Sequence, residues 1–271
     1  MLPLPTCNMK RLLLFLAIAL VLGSCSEYSK ILKHPNNDFR FDMAVEYFNE
    51  KEYNKALPLF EDLIAVYRGT KKSEQIYFYY AHCQYMLEDY IMAGYYFKNF
   101  AKTFPNSAYT EKALFLGAMC AYKQSPKFSL DQAATYEAIN DFQLFLNRYP
   151  KTERKDTTQV LMDKLQEKLE LKAFENAKQY YKIEKYKAAV IALNNTIKEY
   201  PASKYEEEMH FLIVKSSFEL AINSIQEKKK ERLMETIKAY YTFVDRFAMS
   251  KWSKEAEGIF VKTQKELEQF N

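Results

Sequence analysis

The chain has 271 residues, of which 48% are apolar and 27% are charged, so it is long enough to bury a core and too hydrophobic to be disordered. Its five glycines are scattered singly, which argues against a phosphate-binding loop. With only eight prolines as well, a turn-rich β-sandwich is not expected. The 22 Tyr and 20 Phe instead favour helices packed through aromatic rings. The net charge of +4 is too small for the basic face that nucleic-acid binding needs.

The N-terminal 24 residues have the features of an export signal. Lys10 and Arg11 precede an uncharged run from Leu12 to Leu22, which as a helix would span about 16 Å, roughly half of a hydrocarbon core. This length is typical of a signal-peptide core. Cys7 lies upstream of a second start, Met9, and is expected to carry no chemistry.

The residues that follow the apolar run are Leu22-Gly23-Ser24-Cys25. They resemble the bacterial lipobox, in which small residues precede a cysteine that accepts a thioether-linked diacylglycerol. We therefore predict a signal peptide at 1–24 and lipidation of Cys25, with palmitate-type acyl chains that anchor the mature chain. An ordinary cleaved signal with a chance cysteine is the alternative. Ser26 resembles the residue typical of outer-membrane lipoproteins, and the periplasmic face is favoured over surface display.

A repeated pattern occupies the remainder of the chain. An often aromatic position is followed three residues later by Ala and four residues after that by a large apolar residue, and Pro stands twelve residues after the Ala. The copies are Tyr53-Ala56-Phe60, Tyr90-Ala93-Phe97-Pro105, Thr135-Ala138-Phe142-Pro150 and Tyr186-Ala189-Leu193-Pro201, with a degraded copy at Thr236-Tyr240-Ala248. Because Ala allows two helices to approach closely and Pro ends a helix, each copy predicts a helix hairpin.

The helices are predicted in chain order at 38–49, 53–67, 73–87, 90–104, 107–123, 130–149, 154–182, 186–200, 204–226, 230–247 and 252–269. Pro58 falls inside the second of them and is expected to kink it. The domain organisation expected is a lipidated tether at 25–37, a repeat domain at 38–248 and a C-terminal capping helix within 249–271.

The repeated pattern resembles the tetratricopeptide repeat, whose second helix carries Ala, a large apolar residue and a closing Pro at this spacing. The expected fold is all-α, a right-handed superhelix of about five such hairpins with elongated helices. A lipidated chain of this length with five repeats resembles the BamD family of outer-membrane protein assembly lipoproteins. The resemblance covers nearly all of residues 25–248 and depends on the lipobox, the Pro-x-Ser/Thr junctions and the segment from Asp131-Gln132 to Pro150.

The resemblance implies a non-catalytic component of the β-barrel assembly machinery, the BAM complex. Such a protein would scaffold the barrel-forming subunit through its C-terminal repeats and bind unfolded outer-membrane proteins in an N-terminal groove. Mapped by register, the groove residues are Phe41, Val45, Phe48, Phe78, His82 and Tyr85, although the same rings could instead be core between repeats. The candidates for contact with the barrel-forming subunit are Lys178, Tyr181 and Lys182.

The residue pattern does not favour catalysis. His34, His82 and His210 are far apart in the sequence, and neither a His-Glu-x-x-His nor a Cys-x-x-Cys spacing is present. We predict no enzyme activity, no metal, no cofactor beyond the lipid on Cys25 and no nucleic-acid partner. Cys83 and Cys120 could pair in an oxidising compartment, but their apolar helical surroundings favour buried free thiols.

Two other binding functions stay open at this stage. One is a periplasmic repeat adaptor for cell-wall synthesis or division. The other is a glycan-binding uptake lipoprotein, which usually has several Trp residues for stacking on sugars. The single Trp252 argues against glycan binding.

Overall fold

A computed structural model describes residues 27–270, and all of their regular secondary structure is helical. The all-α prediction is therefore confirmed. The predicted signal peptide at 1–24 and the predicted lipidation site Cys25 lie outside the described residues.

Every helix expected from the sequence is present. The elements are α1 (27–32), α2 (Asn37–Asn49), α3 (Tyr53–Val66), α4 (Lys72–Met86), α5 (Tyr90–Thr103), α6 (Thr110–Gln124), α7 (Ala133–Arg148), α8 (Lys155–Lys182), α9 (Tyr186–Glu199), α10 (Glu206–Ile222), α11 (Gln226–Arg246), α12 (Ser253–Leu267) and a 3₁₀ turn at Glu268–Phe270. Pro58 lies inside α3. The long helix expected at 154–182 is observed as α8, with 28 residues.

The chain divides into two compact units. Unit 1 contains the chain up to Ser125 together with Ala133–Thr158, and unit 2 contains Pro126–Gln132 together with the chain from Gln159 onward. In unit 1 each helix from α2 to α7 packs against the next in sequence, and in unit 2 the same holds from α9 to α12. This packing of sequential pairs is that of a tetratricopeptide-like array.

The repeated pattern identified in the sequence forms the core of the hairpins. The four alanines and the four large apolar residues are all fully buried: Ala56, Ala93, Ala138, Ala189, Phe60, Phe97, Phe142 and Leu193. Helices α5 and α6 approach especially closely, since a Cβ atom added at Gly94 would lie 3.2 Å from the Cβ of Cys120. The small residues thus set the distance between paired helices, as the sequence predicts.

The hydroxyl residues of the Pro-x-Ser/Thr junctions make the same hydrogen bond in each repeat. Each side-chain oxygen accepts from the backbone N–H two residues later, in the pairs Ser107–Tyr109, Thr152–Arg154, Ser203–Tyr205 and Ser250–Trp252. These bonds form turns that precede the next helix. The degraded fifth copy, which lacks the Pro, keeps this turn through Ser250.

The turns between the two helices of a hairpin also recur, although no sequence pattern indicated them. Lys51, Glu88 and Glu184 adopt positive φ angles of 65°, 63° and 60°. In each case the backbone N–H of the next residue donates to the carbonyl oxygen five residues earlier. The donor and acceptor pairs are Glu52 and Tyr47, Asp89 and Gln84, and Lys185 and Tyr180. This is the Schellman arrangement, which usually has Gly at the left-handed position.

The segment expected to be the tether, 25–37, contains a short helix that packs on the first hairpin. Residues 27–32 form α1, and Tyr28, Ile31 and Leu32 pack against the core cluster of the first hairpin. The hydroxyl of Tyr28 donates a hydrogen bond to the carbonyl oxygen of Lys55, at 2.9 Å. The apolar face of this short helix is therefore half-buried against the first hairpin.

Candidate functional site

Unit 1 carries a row of aromatic rings that runs from α2 across α4 to the start of α6. Phe48 of α2 stacks on Tyr79 of α4, with ring centroids 4.2 Å apart and planes 4° from parallel. Tyr79 in turn meets the edge of Tyr109, which directly precedes α6, at 6.3 Å. All three rings are half-buried, so each keeps an accessible part. We call Phe48, Tyr79 and Tyr109 the aromatic row.

The structure changes the set of groove residues expected from the sequence. Phe78 is only 2% exposed and packs among Phe97 and Phe100, while Phe41 is 8% exposed and belongs to the first core cluster. These two rings are therefore core, and the expectation that they line an open groove is wrong. Val45, Phe48, His82 and Tyr85 are half-buried at the edges of the same clusters.

Tyr79 and Tyr109 belong to this surface although the register of the pattern did not select them. Residues Tyr77 to Tyr80 are four consecutive aromatics, and such a run has no periodicity that could show which ring faces the core. A shift of one residue turns a side chain by about 100° around a helix, which exchanges Phe78 for Tyr79.

His82 lies beside the aromatic row in apolar surroundings. Its ring centroid is 5.2 Å from that of Phe48 and 6.0 Å from that of Phe78. Burial lowers the pKa of His82 to about 4, and the charge of Lys112 contributes in the same direction. Its Nδ1 atom is buried and has no hydrogen-bond partner among the described residues. The imidazole is therefore neutral at neutral pH and acts as part of an apolar surface.

Acidification is expected to destabilise unit 1 through His82. Between pH 6.5 and about 4 the unfolded chain binds a proton at this position that the folded chain excludes, so stability falls as the pH decreases. Because the ring is partly exposed, the loss should be about 1–2 kcal/mol. Urea unfolding at pH 7.5 and pH 4.5 should show a smaller loss for His82→Phe than for the unmodified chain. An equal loss in His82→Phe and in the unmodified chain would contradict this assignment. His210, whose pKa burial also lowers, is present in both proteins and contributes equally to their losses.

The three residues expected to contact a partner through the C-terminal repeats lie at the end of α8, in unit 2. Lys178 is already engaged, because its Nζ atom lies 2.5 Å from Oε1 of Glu208 and 5.1 Å from the ring centroid of Phe174. Tyr181 packs near Tyr186, with centroids 6.0 Å apart. Lys182 is the most accessible of the three, with a side chain 50% exposed and 3.5 Å from Glu175. Only Lys182 therefore presents a largely available charge.

Apolar surface that the sequence did not indicate adjoins this helix end. A cavity of about 470 Å³ at the turn between α8 and α9 is lined by residues that include Tyr186, Ile191 and Leu220. Ile183, which directly precedes the lining residue Glu184, and Ile191, in the lining, are both at least half exposed. Exposed aliphatic residues beside a cavity are typical of a surface that a partner covers.

The two cysteines among the described residues, Cys83 and Cys120, are not suited to react as thiolates. Cys83 and Cys120 are buried free thiols, and burial raises the pKa of each to about 12. The structure agrees with the prediction that Cys83 and Cys120 are buried free thiols and not a disulfide. Within residues 27–270, no group of three metal-ligating side chains comes together, and no helix is both long and apolar enough to cross a bilayer.

Helical hairpins, an aromatic row and an apolar helix end together define a binding protein built from helical repeats. A family model described as YfiO, outer membrane lipoprotein, matches residues 34–233, and the chain therefore belongs to this family. It is also similar to the outer membrane protein assembly factor BamD of Caulobacter vibrioides, with 19% identity over 219 residues that cover 81% of this chain and 72% of the relative. The predicted family, the outer-membrane lipoprotein class and the absence of enzyme activity are thereby confirmed.

Proposed function

We propose that this protein is a lipid-anchored, non-catalytic component of the machinery that assembles β-barrel proteins in the outer membrane. The observation that supports this most directly is its similarity, over most of its length, to a relative named as an outer membrane protein assembly factor. In this proposal Cys25 carries the lipid, unit 1 binds unfolded outer-membrane proteins, and the end of α8 binds the barrel-forming subunit.

The aromatic row is the surface proposed for unfolded clients. An extended strand of a barrel protein places alternate side chains on one face, and apolar side chains on that face can pack against a row of rings. The row runs from α2 to the start of α6, so a client would contact three elements at once. His82 and Tyr85 extend the apolar surface, and the neutral state of His82 avoids burying a charge under the client.

Removal of a ring from the row should weaken client binding. We expect Tyr79→Ala to raise the Kd for a urea-denatured outer-membrane barrel protein about tenfold, because one well-packed aromatic ring contributes about 1–2 kcal/mol at an interface. Tyr95→Ala is the matched control, since Tyr95 is an exposed tyrosine of α5 outside the row. Fluorescence titration with a labelled client measures both. Equal affinities, with helical content preserved in both variants, would rule out the row as the client site.

The end of α8 and the adjoining apolar residues are proposed to contact the barrel-forming subunit. Lys182 supplies an exposed charge, Tyr181 an aromatic ring, and Ile183 an exposed aliphatic side chain in the same turn. Aromatic and aliphatic anchors surrounded by accessible charges are typical of interface hot spots. Lys178 is less suitable, since its charge is paired with Glu208 inside unit 2.

Charge reversal at this surface should reduce recovery of the partner. We expect the double variant Tyr181→Ser, Lys182→Glu to weaken co-purification of a large β-barrel protein with periplasmic domains about tenfold or more from detergent-solubilised membranes. Lys262→Glu, at an exposed lysine of α12, is the control with the same charge change as Lys182→Glu. Reversal of Lys178 is avoided, because its partner Glu208 lies on α10 and two carboxylates there would weaken the contact between two helices of unit 2. Glu175, the partner of Lys182, lies on α8 itself, and the Lys182 side chain is half exposed.

The same purification distinguishes this proposal from the other adaptor function. Recovery of peptidoglycan synthases in place of a barrel protein would favour a role in cell-wall synthesis. Glycan uptake has little structural support, because the ring of Trp252 stacks on Phe211, at 5.4 Å and 8° from parallel, so one face of the ring is already covered at the edge of a core cluster of unit 2.

A further inference from the structure

The packing of α1 limits how far the first hairpin can lie from a lipid on Cys25. Tyr28 is held by the carbonyl oxygen of Lys55, and its ring lies 6.0 Å from that of Tyr47. Ile31 and Leu32 pack against the same core cluster. Three residues on one side of a two-turn helix are thus attached to α2 and α3, and α1 is part of the folded unit.

The remaining chain between the lipid and the fold is very short. Cys25 and Glu27, the first described residue of α1, are separated by two peptide links, so their Cα atoms are at most about 7 Å apart. If residues 25–37 were instead extended, the distance from Cys25 to the start of α2 at Asn37 would reach about 40 Å. Packing of α1 therefore shortens the free chain between Cys25 and the folded unit from about 40 Å to about 7 Å.

We propose that α1 is a clamp that holds the first hairpin of unit 1 directly against the bilayer, so that phospholipid headgroups are a binding partner of this end of the protein. The proposal depends on the proposed lipidation of Cys25. Lys30, on α1, and Lys33, in the turn directly after it, are both exposed. Their ammonium groups can approach the phosphate oxygens of headgroups once the anchor brings α1 to the surface.

The clamp has a consequence for client binding. Phe48, the first ring of the aromatic row, lies on α2 of the hairpin that α1 holds. The row therefore begins in the hairpin that is fixed at the membrane surface. A freely tethered repeat domain could present the row at any height within the reach of its tether.

Proximity to the bilayer can be measured on the complete lipidated protein. A fluorophore is attached at Asn54→Cys, an exposed position on the first turn of α3 beside Lys55; the buried Cys83 and Cys120 do not compete for the label. The protein is reconstituted in vesicles of phosphatidylethanolamine and phosphatidylglycerol that carry a headgroup quencher. We expect the emission to fall by about half or more, and a flexible Gly-Ser spacer of about 12 residues between Cys25 and Ser26 to remove most of this loss.

A second variant tests whether packing of α1 is responsible. Tyr28→Ala combined with Ile31→Ser detaches α1 and should relieve quenching as the spacer does. Glu27→Gln, at an exposed position of α1 that the proposal does not place against the headgroups, should leave α1 packed and the quenching in place. One contrary result is that the protein without the spacer binds vesicles and yet shows no quenching, and another is that quenching is equal with and without the spacer. Either result would overturn the clamp and leave the lipid anchor intact. Failure of every variant to bind vesicles would overturn the lipid anchor and the clamp with it.

Discussion

Replacement of Phe97 by Ala is expected to lower the free energy of unfolding of unit 1 by about 3–5 kcal/mol. The ring is fully buried, with its centroid 5.8 Å from that of Phe78 and 6.4 Å from that of Tyr85. Its Cβ atom would lie 3.5 Å from a Cβ added at Gly117, so α5 and α6 are already in close contact and cannot close the cavity. Since domains of this kind are stable by only about 5–15 kcal/mol, the loss is a large fraction of the total.

Urea unfolding combined with hydrogen exchange measures this loss and its location. Protection should fall in α4 to α6 and be retained in α10 to α12, because a repeat transmits stability mainly to its neighbours. Tyr95→Ala is the control, since Tyr95 lies on the same helix but is 60% exposed, and its effect should stay within about 0.5 kcal/mol. A loss below about 1 kcal/mol for Phe97→Ala would contradict the proposed packing.

Replacement of Cys25 by Ser should abolish membrane anchoring. Two or three acyl chains on this residue provide about 0.8 kcal/mol per buried CH₂, which is enough for stable attachment, whereas a chain with no lipid lacks this attachment. We expect Cys25→Ser to lose incorporation of labelled palmitate and to move from the carbonate-washed membrane fraction to the soluble fraction.

Cys7→Ser is the control for the loss of a cysteine. Since Cys7 precedes Met9 and the apolar run, its replacement should leave both labelling and fractionation unchanged. Palmitate incorporation that survives in Cys25→Ser would show that the lipobox assignment is wrong and would favour an ordinary cleaved signal.

The hairpins could be predicted because their determinants are local in the sequence. Ala93 and Phe97 lie one turn apart on the same helix, so their spacing alone places them on one face, and Pro105 ends that helix without reference to the remainder of the chain. The Pro-x-Ser/Thr junctions are local in the same sense, and the structure forms turns there, in which Ser107, Thr152 and Ser203 accept from the N–H two residues later.

The details of the candidate sites could not be predicted in the same way. Phe78 and Tyr79 are adjacent aromatic residues of similar size, and only the packing of α4 against α5 shows that Phe78 is core. Lys178 is paired with Glu208, thirty residues later, so the sequence could not show that its charge is engaged. Both assignments depend on contacts between different helices.

Residue spacing was enough to identify the class of this protein: a signal-like N-terminus with a lipobox, followed by helix hairpins of tetratricopeptide type. These features depend on interactions within one or two helical turns, which residue spacing records directly. The packing of the helices was needed to show which rings are accessible, that residues 27–32 pack on the first hairpin, and that the chain divides into two units. Those properties depend on which surfaces meet in space, and the side-chain periodicity of a single helix does not contain that information.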